Sequence, residues 1–535
     1  MILIRNIRLE THEGEDLLPL RAAEKLKLRR EDLTSFRIVR KSLDARKKAD
    51  IHWVCSVAVS VKNGEDRLLK KNSGDILPYT APRYDIPSLC KDVPRPVVVG
   101  FGPAGMFAAL VLAKAGARPL VLERGLSAPE RKDAIDRYRA GGALDERANV
   151  QFGEGGAGTF SDGKLNTGIR DSRLHWVLEQ FFVHGAPEHV TWDAKPHIGT
   201  DVLIGIVQNF RREILSLGGE IRFGHQMTGF RSEAGKLAAV TVRSGEGEYD
   251  IPCEALVLAI GHSARDTFEM LHEAGVPMER KPFSMGVRIE HRQRDIDTAQ
   301  YGSPRGDLPP ADYSLNVHLP DGSSAYTFCM CPGGEVFAAA SEQGGVVTNG
   351  MSRSARDGEN ANAALLVTLH TEDFPGEGVL AGMYWQRQIE QAAFRFGGGN
   401  ALAPAQLAGD FLCGRRSSGP AGIQPTYRPG VIWGSIRDVL PERITSVLQQ
   451  AIPALGKKLK GFDSPEAVLT APETRSSSPV RILRGEDLSS SVFGLYPCGE
   501  GAGYAGGISS AAVDGMRCAE AVLRRYTDGS RAETR

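Results

Sequence analysis

The stretch from Val97 to Glu123 restricts the possible folds of this chain more than any other part of the sequence. Its three consecutive valines predict a buried parallel strand, which leads directly into Gly100-Phe101-Gly102-Pro103-Ala104-Gly105. In such a turn Gly100 permits the tight bend, Gly102 lets the backbone approach a pyrophosphate, and Gly105 lets a helix pack on the strand. A second strand then ends at Glu123, where a carboxylate is expected to bind ribose hydroxyls. This order of elements predicts a dinucleotide site that also includes Pro103, Ala104 and Arg124.

A second glycine-rich segment, Tyr496 to Gly507, favours FAD over NAD as the dinucleotide. It opens a helix whose small and apolar residues recur at helical spacing from Ile508 to Leu523. The positive amino terminus of that helix suits the negative charge of a reduced flavin ring, and Glu500 is placed to accept a hydrogen bond from a ribityl hydroxyl. The alternative is an ordinary glycine-rich turn before a core helix. The predicted cofactor contacts are Gly499, Glu500, Gly507 and Ile508.

The loop from Asn149 to Asn166 is the third predicted segment of the nucleotide site. Residues Gly153 to Gly158 also spell G-x-G-x-x-G, but no strand precedes them and no clear helix follows, so they do not indicate a second Rossmann unit. Exposed backbone amides suit the loop to lie along a pyrophosphate and the flavin edge. The alternative is a flexible surface loop. The predicted contacts are Gly155, Gly156 and Lys164, whose charge would face the cofactor.

Five motifs together resemble those of a known family, the uncharacterised FAD-dependent dehydrogenases of bacteria, often labelled NAD(FAD)-utilising dehydrogenases. The motifs are Gly100 to Gly105, Asn149 to Leu165, Cys329 to Gly334, Glu473 to Ile482 and Cys498 to Gly507. The resemblance covers almost the whole chain and places it within the broader glutathione-reductase-like flavoproteins. It implies FAD and redox chemistry but no known substrate. By that likeness, Gln226 and Met227 would contact adenine through backbone, and the strand ending at Ala259, Ile260 and Gly261 would be the central strand returning under the cofactor.

The sequence departs from disulfide reductases, which carry a redox cysteine pair just beyond the first β-α-β unit. Residues 150–168 contain no cysteine, and we find no second dinucleotide fingerprint between Gly168 and Ser491. A disulfide reductase is therefore disfavoured. Any NAD(P)H that donates electrons is expected to bind transiently, without a Rossmann domain of its own.

The predicted fold class is α/β, with a discontinuous Rossmann-like FAD-binding domain, an inserted strand-containing cap or substrate domain, and a small amino-terminal ferredoxin-like α+β module. The module is predicted at residues 1–90, where a strand, a helix and two strands resemble half of a ferredoxin-like fold. The segment from Leu77 to Pro96 is rich in proline and predicts an extended linker. The remaining predicted parts are the first FAD-binding part at 91–274, the inserted domain at 275–465 and the carboxy-terminal FAD-binding part at 466–535.

No catalytic acid, base or nucleophile is assigned from the sequence, and no metal site is predicted. Cys329 and Cys331 lie on a predicted strand, where we expect the two thiols to point to opposite faces and to be buried structural cysteines. His262 is interpreted as a hydrogen-bonded structural histidine, with a place near the cofactor as the alternative. Three arginines are candidates either for holding an anionic substrate or the cofactor phosphates, or for structural salt bridges: Arg475, Arg481 and Arg484.

Composition limits the partners. The chain has 65 Lys and Arg against 65 Asp and Glu, 41% hydrophobic residues, and no apolar run near the ~18 residues that span a bilayer, so it predicts neither general nucleic-acid attraction nor a membrane protein. With eight scattered cysteines and no recognisable export signal, a cytoplasmic location with free thiols is expected. The module at 1–90 holds 18 Lys and Arg against 13 Asp and Glu. Its cluster at 40–48 predicts a solvated charged face, with RNA binding as the weaker alternative.

The leading hypothesis is an FAD-dependent oxidoreductase, a dehydrogenase or reductase that transfers hydride between flavin and an unidentified small-molecule substrate, with NAD(P)H as a possible transient electron donor. A flavin monooxygenase with a single Rossmann domain is the alternative among enzymes. A flavin-bearing RNA-binding or redox-sensing protein, with residues 1–90 as its output, is the alternative of another class. The substrate, the electron partner and the oligomeric state are not predicted.

Overall fold

The computed structural model of the chain describes residues 1–70, 74–89 and 92–532, and side chains as far as Thr527. Cys90, part of the predicted linker and the last residues of the tail therefore lie outside the described residues. The structure is mixed α/β, with parallel and antiparallel sheets, and the predicted fold class is confirmed at that level. Within the described ranges, no helix combines the length and the apolar character needed to cross a membrane.

The amino-terminal region forms a four-stranded antiparallel sheet with helices on it. Its elements are β1 (Ile2–Glu10), α1 (Leu18–Leu26), β2 (Leu33–Asp44), β3 (His52–Val61), α2 (Glu65–Lys70) and β4 (Ile76–Pro78). The strand order is β2-β3-β1-β4. The first strand, the helix and the next two strands were predicted from the sequence. Helix α2 and strand β4 were not predicted; β4 adds a fourth strand to the sheet and overlaps the start of the predicted linker. Tyr84, Ile86 and Leu89 of the remaining segment pack on the next domain's core.

A five-stranded parallel sheet follows, with an antiparallel three-stranded sheet between two of its strands. The elements are β5 (Val97–Val99), α3 (Pro103–Lys114), β6 (Leu120–Glu123), α4 (Ala128–Arg139), α5 (Arg173–Val183), α6 (Thr200–Ser216), β7 (Glu220–Phe223), β8 (Gln226–Glu233), β9 (Lys236–Ser244), β10 (Gly247–Pro252), β11 (Leu256–Leu258) and α7 (Arg265–Glu273). The parallel sheet has the order β23-β11-β5-β6-β7, in which β23 comes from the end of the chain. The central strand is thus β5, and β11, expected to be central, lies beside it.

The later chain builds a seven-stranded sheet, ordered β14-β15-β18-β13-β21-β19-β20. Its elements and the returning ones are β12 (Met278–Arg280), β13 (Phe283–Arg292), α8 (Gln293–Tyr301), β14 (Asn316–His318), β15 (Ser324–Cys331), β16 (Glu335–Ala338), β17 (Thr348–Met351), β18 (Asn360–Leu369), α9 (Ala381–Phe396), β19 (Ala403–Leu407), α10 (Ala408–Leu412), β20 (Val431–Trp433), α11 (Glu442–Gly456), β21 (Val468–Glu473), β22 (Val480–Ile482), β23 (Leu495–Pro497) and α12 (Ile508–Ala532). Because β21 pairs with β13, this sheet extends beyond the predicted limit at residue 465 as far as Glu473.

The middle strand of that sheet, β13, explains how charge comes to be buried in it. Side chains alternate between the two faces of a strand. Met285, Val287 and Ile289 join the apolar core that includes residues of α9 and α11. Arg288 and Glu290 alternate with them, face the other side, and are equally buried. One face of the sheet is therefore an ordinary core, whereas the other is polar and closed to solvent.

Candidate functional site

The site lies at the carboxyl ends of β5 and β11, where the connections of the parallel sheet diverge. From β5 the chain continues outwards on one side to β6 and β7, and it returns on the other side as β11 and β23. Open parallel sheets bind ligands at such a switch point, in the crevice beyond the strand ends. A cavity of about 480 Å³ occupies that place and continues to the polar face of the seven-stranded sheet. That volume is within the range of small-molecule sites.

Most of the residues predicted to bind the cofactor line this one cavity. They are Gly100, Gly102, Pro103, Ala104, Glu123, Arg124, Gly156, Lys164, Met227, Ala259, Gly261, Glu500, Gly507 and Ile508. Three predicted residues do not line it: Gly105, Gly155 and Gly499. These three support it from behind, because a Cβ at Gly105 would overlap the carbonyl oxygen of Gly100, and Cβ atoms at Gly155 and Gly499 would overlap Thr159 and Ala104.

Two helix amino termini meet at the part of the cavity that we call the cradle, lined by Gly100 to Ala104 and Gly506 to Ala511. Helix α3 begins after Gly102 without a side-chain cap. Helix α12 packs closely on α3, since a Cβ at Gly515 would overlap the carbonyl oxygen of Ala104. The first amides of a helix lack intrahelical partners and carry partial positive charge. Helix ends of this kind are suited to bind an anion through their backbone amides.

Glu123 joins three segments of the cradle. Its buried carboxylate accepts hydrogen bonds from the backbone amides of Phe101 at 2.7 Å, Gly125 at 2.8 Å and Gly153 at 3.0 Å. The loop that starts near Asn149 is thereby tied to the β5–α3 turn. Each carboxylate oxygen has about two acceptor positions, so Glu123 retains capacity toward a hydroxyl in the cavity.

Arg131 holds the same loop and was not predicted. Its fully buried guanidinium donates to the carbonyl oxygens of Asn149, Val150 and Glu154 at 2.7, 2.6 and 2.8 Å. Burial lowers the pKa of Arg131 to about 9. The sequence offers only a weak signal for this role, an arginine in an otherwise amphipathic helix, because the partners are backbone atoms of a distant loop.

The opposite part of the cavity, which we call the charged end, is lined by Lys164 and by residues of the seven-stranded sheet and its neighbours. Arg288 donates to both oxygens of Glu473 at 2.9 and 3.1 Å. Behind it, Glu390 accepts from Arg265 and Arg475 at distances of 2.8 to 3.1 Å. All five of these ion-pair residues are less than 9% exposed. Among these five residues, only Arg475 was named as a candidate from the sequence. It forms a buried salt bridge and also lines the cavity.

The prediction that the Cys329 and Cys331 thiols point to opposite faces is wrong, whereas the burial predicted for Cys331 is confirmed. Residues two apart in a strand share a face, and here a register shift between Phe328 and Cys331 also bends β15. The Cys331 thiol donates to the carbonyl oxygen of Cys329 at 3.3 Å. Cys329 lines the cavity, whereas Cys331 is fully buried behind it.

Of the buried side-chain nitrogen atoms that lack a hydrogen-bond partner among the described residues, two belong to residues that line the cavity, Lys164 and His262. Lys164 Nζ lies 3.4 Å from the Asp162 carboxylate. Burial, which lowers the pKa of Lys164, is outweighed by Asp162 and the two cysteines, so the pKa is raised. His262 Nδ1 is 3.4 Å from Glu500, and its Nε2 is the unpartnered atom. Unsatisfied buried polar atoms are rare in proteins, so both indicate a ligand with acceptor atoms.

Comparison with known proteins identifies the family. The family model described as FAD-dependent protein, C-terminal domain-like, matches residues 282–476, and a domain of unknown function matches residues 1–60. Over 531 residues the chain is 45% identical to an uncharacterised protein from Clostridium beijerinckii, which covers 98% of this chain and 99% of that protein. The chain belongs to this family of FAD-dependent proteins. FAD is its cofactor, and it is an FAD-dependent oxidoreductase.

Two further likenesses are partial or distant. The FAD-dependent protein is 32% identical over 177 residues to aklavinone 12-hydroxylase RdmE from Streptomyces purpurascens, which corresponds to 31% of this chain and 32% of that protein. A solved geranylgeranyl bacteriochlorophyll reductase-like protein from Thermoplasma acidophilum matches 82% of this chain and 80% of that chain, at 13% identity and a TM-score of 0.37.

The cavity of the FAD-dependent protein fits its cofactor. Space is left open at Gly261, Gly506 and Gly507, where no atom lies within 4 Å of an added Cβ. The cradle supplies amide donors for a pyrophosphate, and the acceptor capacity of Glu123 faces the same cavity. A side chain at any of those three glycines would enter the space that an elongated dinucleotide needs.

Arg481 and Arg484, also singled out from the sequence, do not line the cavity. Arg481 pairs with Glu279 at 2.9 Å. Arg484 donates to the Asp514 carboxylate and to the carbonyl oxygen of Pro497 at 2.7 and 2.8 Å. For Arg481 and Arg484 the geometry fits structural salt bridges and not the binding of an anionic substrate or of the cofactor phosphates. Cys498, Asp514 and Cys518 are buried close together and could offer ligands to a metal ion. The Arg484 guanidinium, however, neutralises the Asp514 carboxylate, whose charge such an ion would need.

Lys41 and Lys48 of the basic cluster in the amino-terminal region contact other parts of the protein, whereas Arg40, Arg46 and Lys47 are exposed. Lys41 pairs with Glu15 and lies 4.2 Å from the Trp53 ring centroid. Its backbone also hydrogen bonds with residues 192 and 194. Arg46 pairs with Asp44, and Lys48 donates to the carbonyl oxygen of Ala299 at 2.8 Å. These contacts attach the region to the rest of the chain.

Proposed function

We propose that this FAD-dependent protein is a dehydrogenase or reductase that transfers hydride between FAD and a small molecule bound at the charged end of the cavity. When bound, FAD supplies the two-electron chemistry. One observation carries the proposal: a single cavity connects the glycine-lined cradle with a wall of side chains from a separate sheet. A cofactor held in the cradle would thus share its enclosure with a second, smaller ligand.

The cofactor contacts are part of this proposal. The amides at the starts of α3 and α12 would hold the pyrophosphate, Glu123 the adenosine ribose, and the backbone near Met227 the adenine. Glu500 would accept from a ribityl hydroxyl, with His262 beside it. The parallel strand order around β5 supports both the discontinuous Rossmann-like organisation and the placement within glutathione-reductase-like flavoproteins.

The residues of the charged end would bind and orient the substrate. Lys164 offers a buried positive charge without a hydrogen-bond partner in the described structure. Arg475 lies in the wall, and its charge is already balanced by Glu390. Lys164 also has a nearby carboxylate, Asp162 at 3.4 Å, but its Nζ makes no hydrogen bond in the described structure, so it is the group best placed to bind an acceptor-bearing substrate.

Anaerobic absorbance spectroscopy of the purified holoenzyme tests this function. NADH, NADPH and fractionated metabolite pools are added in turn, and loss of the oxidised flavin band is followed. We expect at least one donor to bleach the bound flavin faster than it bleaches free FAD, because the cavity orients the reactants. A holoenzyme that is reduced by dithionite but by none of these donors would contradict the proposal.

The partial similarity to a hydroxylase favours one second candidate, a monooxygenase that uses the same cavity. Reoxidation of the reduced holoenzyme under ¹⁸O₂ distinguishes the two. A monooxygenase incorporates one labelled oxygen atom into an organic product, whereas a dehydrogenase or reductase leaves the label out of its product.

A further inference from the structure

A pair of cysteines is placed in the cavity wall by the sheet that carries the charged end. Cys329 is partly exposed and lines the cavity, and Cys331 lies completely buried behind it. The two cysteines are two residues apart in the strand, and the Cys331 thiol donates to the carbonyl oxygen of Cys329 at 3.3 Å. An accessible thiol with a buried thiol behind it is the arrangement that thiol–disulfide exchange requires, because one sulfur meets the substrate and the other resolves the product.

The backbone at this pair is distorted in a way that the surrounding structure maintains. Cys329 has a φ of 41°, in the left-handed region that residues with a side chain rarely adopt. The strand gains one residue relative to β18 at this point. Arg288 donates to the carbonyl oxygen of Cys329 at 3.0 Å and so fixes the bulge. Strain of this kind is concentrated at functional sites.

The charges around the pair favour a thiolate at the accessible position. The neighbouring Cys331 thiol, together with the positive charges of Lys164 and Arg288, lowers the pKa of Cys329 against the effect of burial. The negative charge of Asp162 acts in the opposite direction. The neighbouring Cys329 sulfur and burial raise the pKa of Cys331. The thiolate is the nucleophilic form of cysteine, so Cys329 is the attacking sulfur.

We propose that Cys329 and Cys331 form a reversible dithiol–disulfide centre that reduces a disulfide-containing small molecule in the cavity. The inference rests on the proposed function, since it names a substrate class for the same cavity. It also differs from the cysteine pair of disulfide reductases, because these thiols come from the inserted sheet and not from the segment after the first β-α-β unit.

The atoms and electrons of this exchange balance. The Cys329 thiolate attacks one sulfur of the substrate, forming a mixed disulfide as the substrate S–S bond breaks and the first thiolate leaves. Cys331 loses its proton and attacks the sulfur of Cys329, and the second thiolate leaves. The proton released by Cys331 and one proton from solvent, equal to the proton that Cys329 lost on forming its thiolate, convert the two leaving thiolates to thiols. The substrate has then gained two electrons and two protons, and the protein holds a disulfide. Return to the dithiol consumes two electrons and two protons, the number that a reduced flavin carries.

Mass analysis of the holoenzyme tests the centre directly. The protein is reduced with dithiothreitol, freed of it, and exposed without oxygen to oxidised glutathione or to the smaller 2-hydroxyethyl disulfide; free thiols are then alkylated under denaturing conditions. We expect the peptide that contains both cysteines to be lighter by two hydrogens and unalkylated. Cys331→Ser should retain the probe as a mixed disulfide on Cys329, and Cys329→Ser should retain none. Cys413→Ser, which removes an exposed thiol outside the cavity, should leave the cross-link unchanged.

Alkylation of the native protein gives a second readout that does not depend on turnover. At about pH 6, iodoacetamide should modify Cys329 faster than the exposed Cys413, because a thiolate reacts and a thiol does not. Lys164→Met removes a positive charge facing Cys329 and should shift the alkylation profile of Cys329 to higher pH. A merely structural cysteine would show no such shift.

Recovery of both cysteines fully alkylated after exposure to both disulfides would overturn the inference. That outcome is distinct from failure of the proposed hydride transfer, which is read from the flavin band with nicotinamide donors. A Cys331→Ser holoenzyme that still loses its flavin band to such a donor, and that retains the probe as a mixed disulfide on Cys329, would support both.

Discussion

The cradle and the charged end of the cavity are built by opposite means. In the cradle, backbone amides, glycines and two helix termini form the wall, and the buried carboxylate of Glu123 accepts hydrogen bonds from backbone alone. At the charged end, side chains pair with side chains that are far apart in sequence, as Arg288 does with Glu473 and Arg265 with Glu390.

The two kinds of construction predict different consequences of a substitution. A backbone site depends on space, so a single added side chain can block it while the fold survives. A site of buried ion pairs depends on balance, so removing one partner leaves an uncompensated charge in a medium of low dielectric constant. We therefore expect variants of the charged end to lose stability and variants of the cradle to lose cofactor.

The largest expected effect comes from Glu390→Gln at the charged end. Glu390 is 1% exposed and accepts hydrogen bonds from both Arg265 and Arg475. Loss of its charge leaves two buried guanidinium groups without their common counter-ion, which we expect to lower the free energy of unfolding by about 3–5 kcal/mol. Urea denaturation followed by fluorescence measures it, with the exposed Glu377→Gln as the control. Equal midpoints for the two variants would contradict the expectation.

The next effect depends on pH and concerns Glu290, on the polar face of β13. Burial raises the pKa of Glu290 to about 7. Between about pH 4.5 and 7 the unfolded chain loses this proton before the folded chain does, so the free energy of unfolding falls as the pH rises. Glu290→Gln removes that loss and should stabilise the protein by on the order of 3 kcal/mol at about pH 8. Thermal midpoints of wild type and variant measured at about pH 5 and pH 8 check it, because the gain should vanish at the lower pH.

The cradle could be predicted from the sequence because its signals are local. The segment from Val97 to Glu123 contains its own strand, turn, helix and second strand, and the structure places these elements as expected. The segment from Tyr496 to Ile508 likewise leads into a long helix. What the local pattern could not show is that Glu123 would tie the loop at Gly153 to the first turn.

The charged end could not be predicted because its partners meet only in the folded sheet. Glu390 lies in α9, and the arginines that it binds come from α7 and from the segment after β21. The relation between Cys329 and Cys331 was misjudged for a different reason. Alternate residues of a strand share a face, so the expectation of opposite faces did not follow from strand geometry. The bulge at this pair could not be predicted either, because it is fixed by Arg288, which is 41 residues distant in the sequence.

A smaller and more selective effect is expected for Gly506→Val in the cradle. Gly506 lines the cavity, has no atom within 4 Å of an added Cβ, and does not require a positive φ. The new side chain should occupy cofactor space and weaken FAD binding by at least about tenfold, or about 1.4 kcal/mol, with little change in the stability of the apoprotein. Fluorescence titration of apoprotein with FAD measures the dissociation constant. The matched control is Gly245→Val, in an exposed turn with equal free space. Equal weakening of FAD binding in both variants would contradict the expectation that FAD occupies the cradle.

The smallest effect should come from Asp266→Asn, one residue from the buried Arg265. Asp266 pairs with Arg124 at 2.7 Å, but its side chain is 49% exposed. Solvent screens such a pair, and exposed pairs contribute less than about 1 kcal/mol. The shift in the urea midpoint should therefore be several times smaller than for Glu390→Gln, although both changes remove one carboxylate charge paired with arginine. A loss as large as that of the buried site would mean that burial does not set the cost of breaking these pairs. The contrast between the two ends of the cavity would then rest on the position of the charges and not on their exclusion from water.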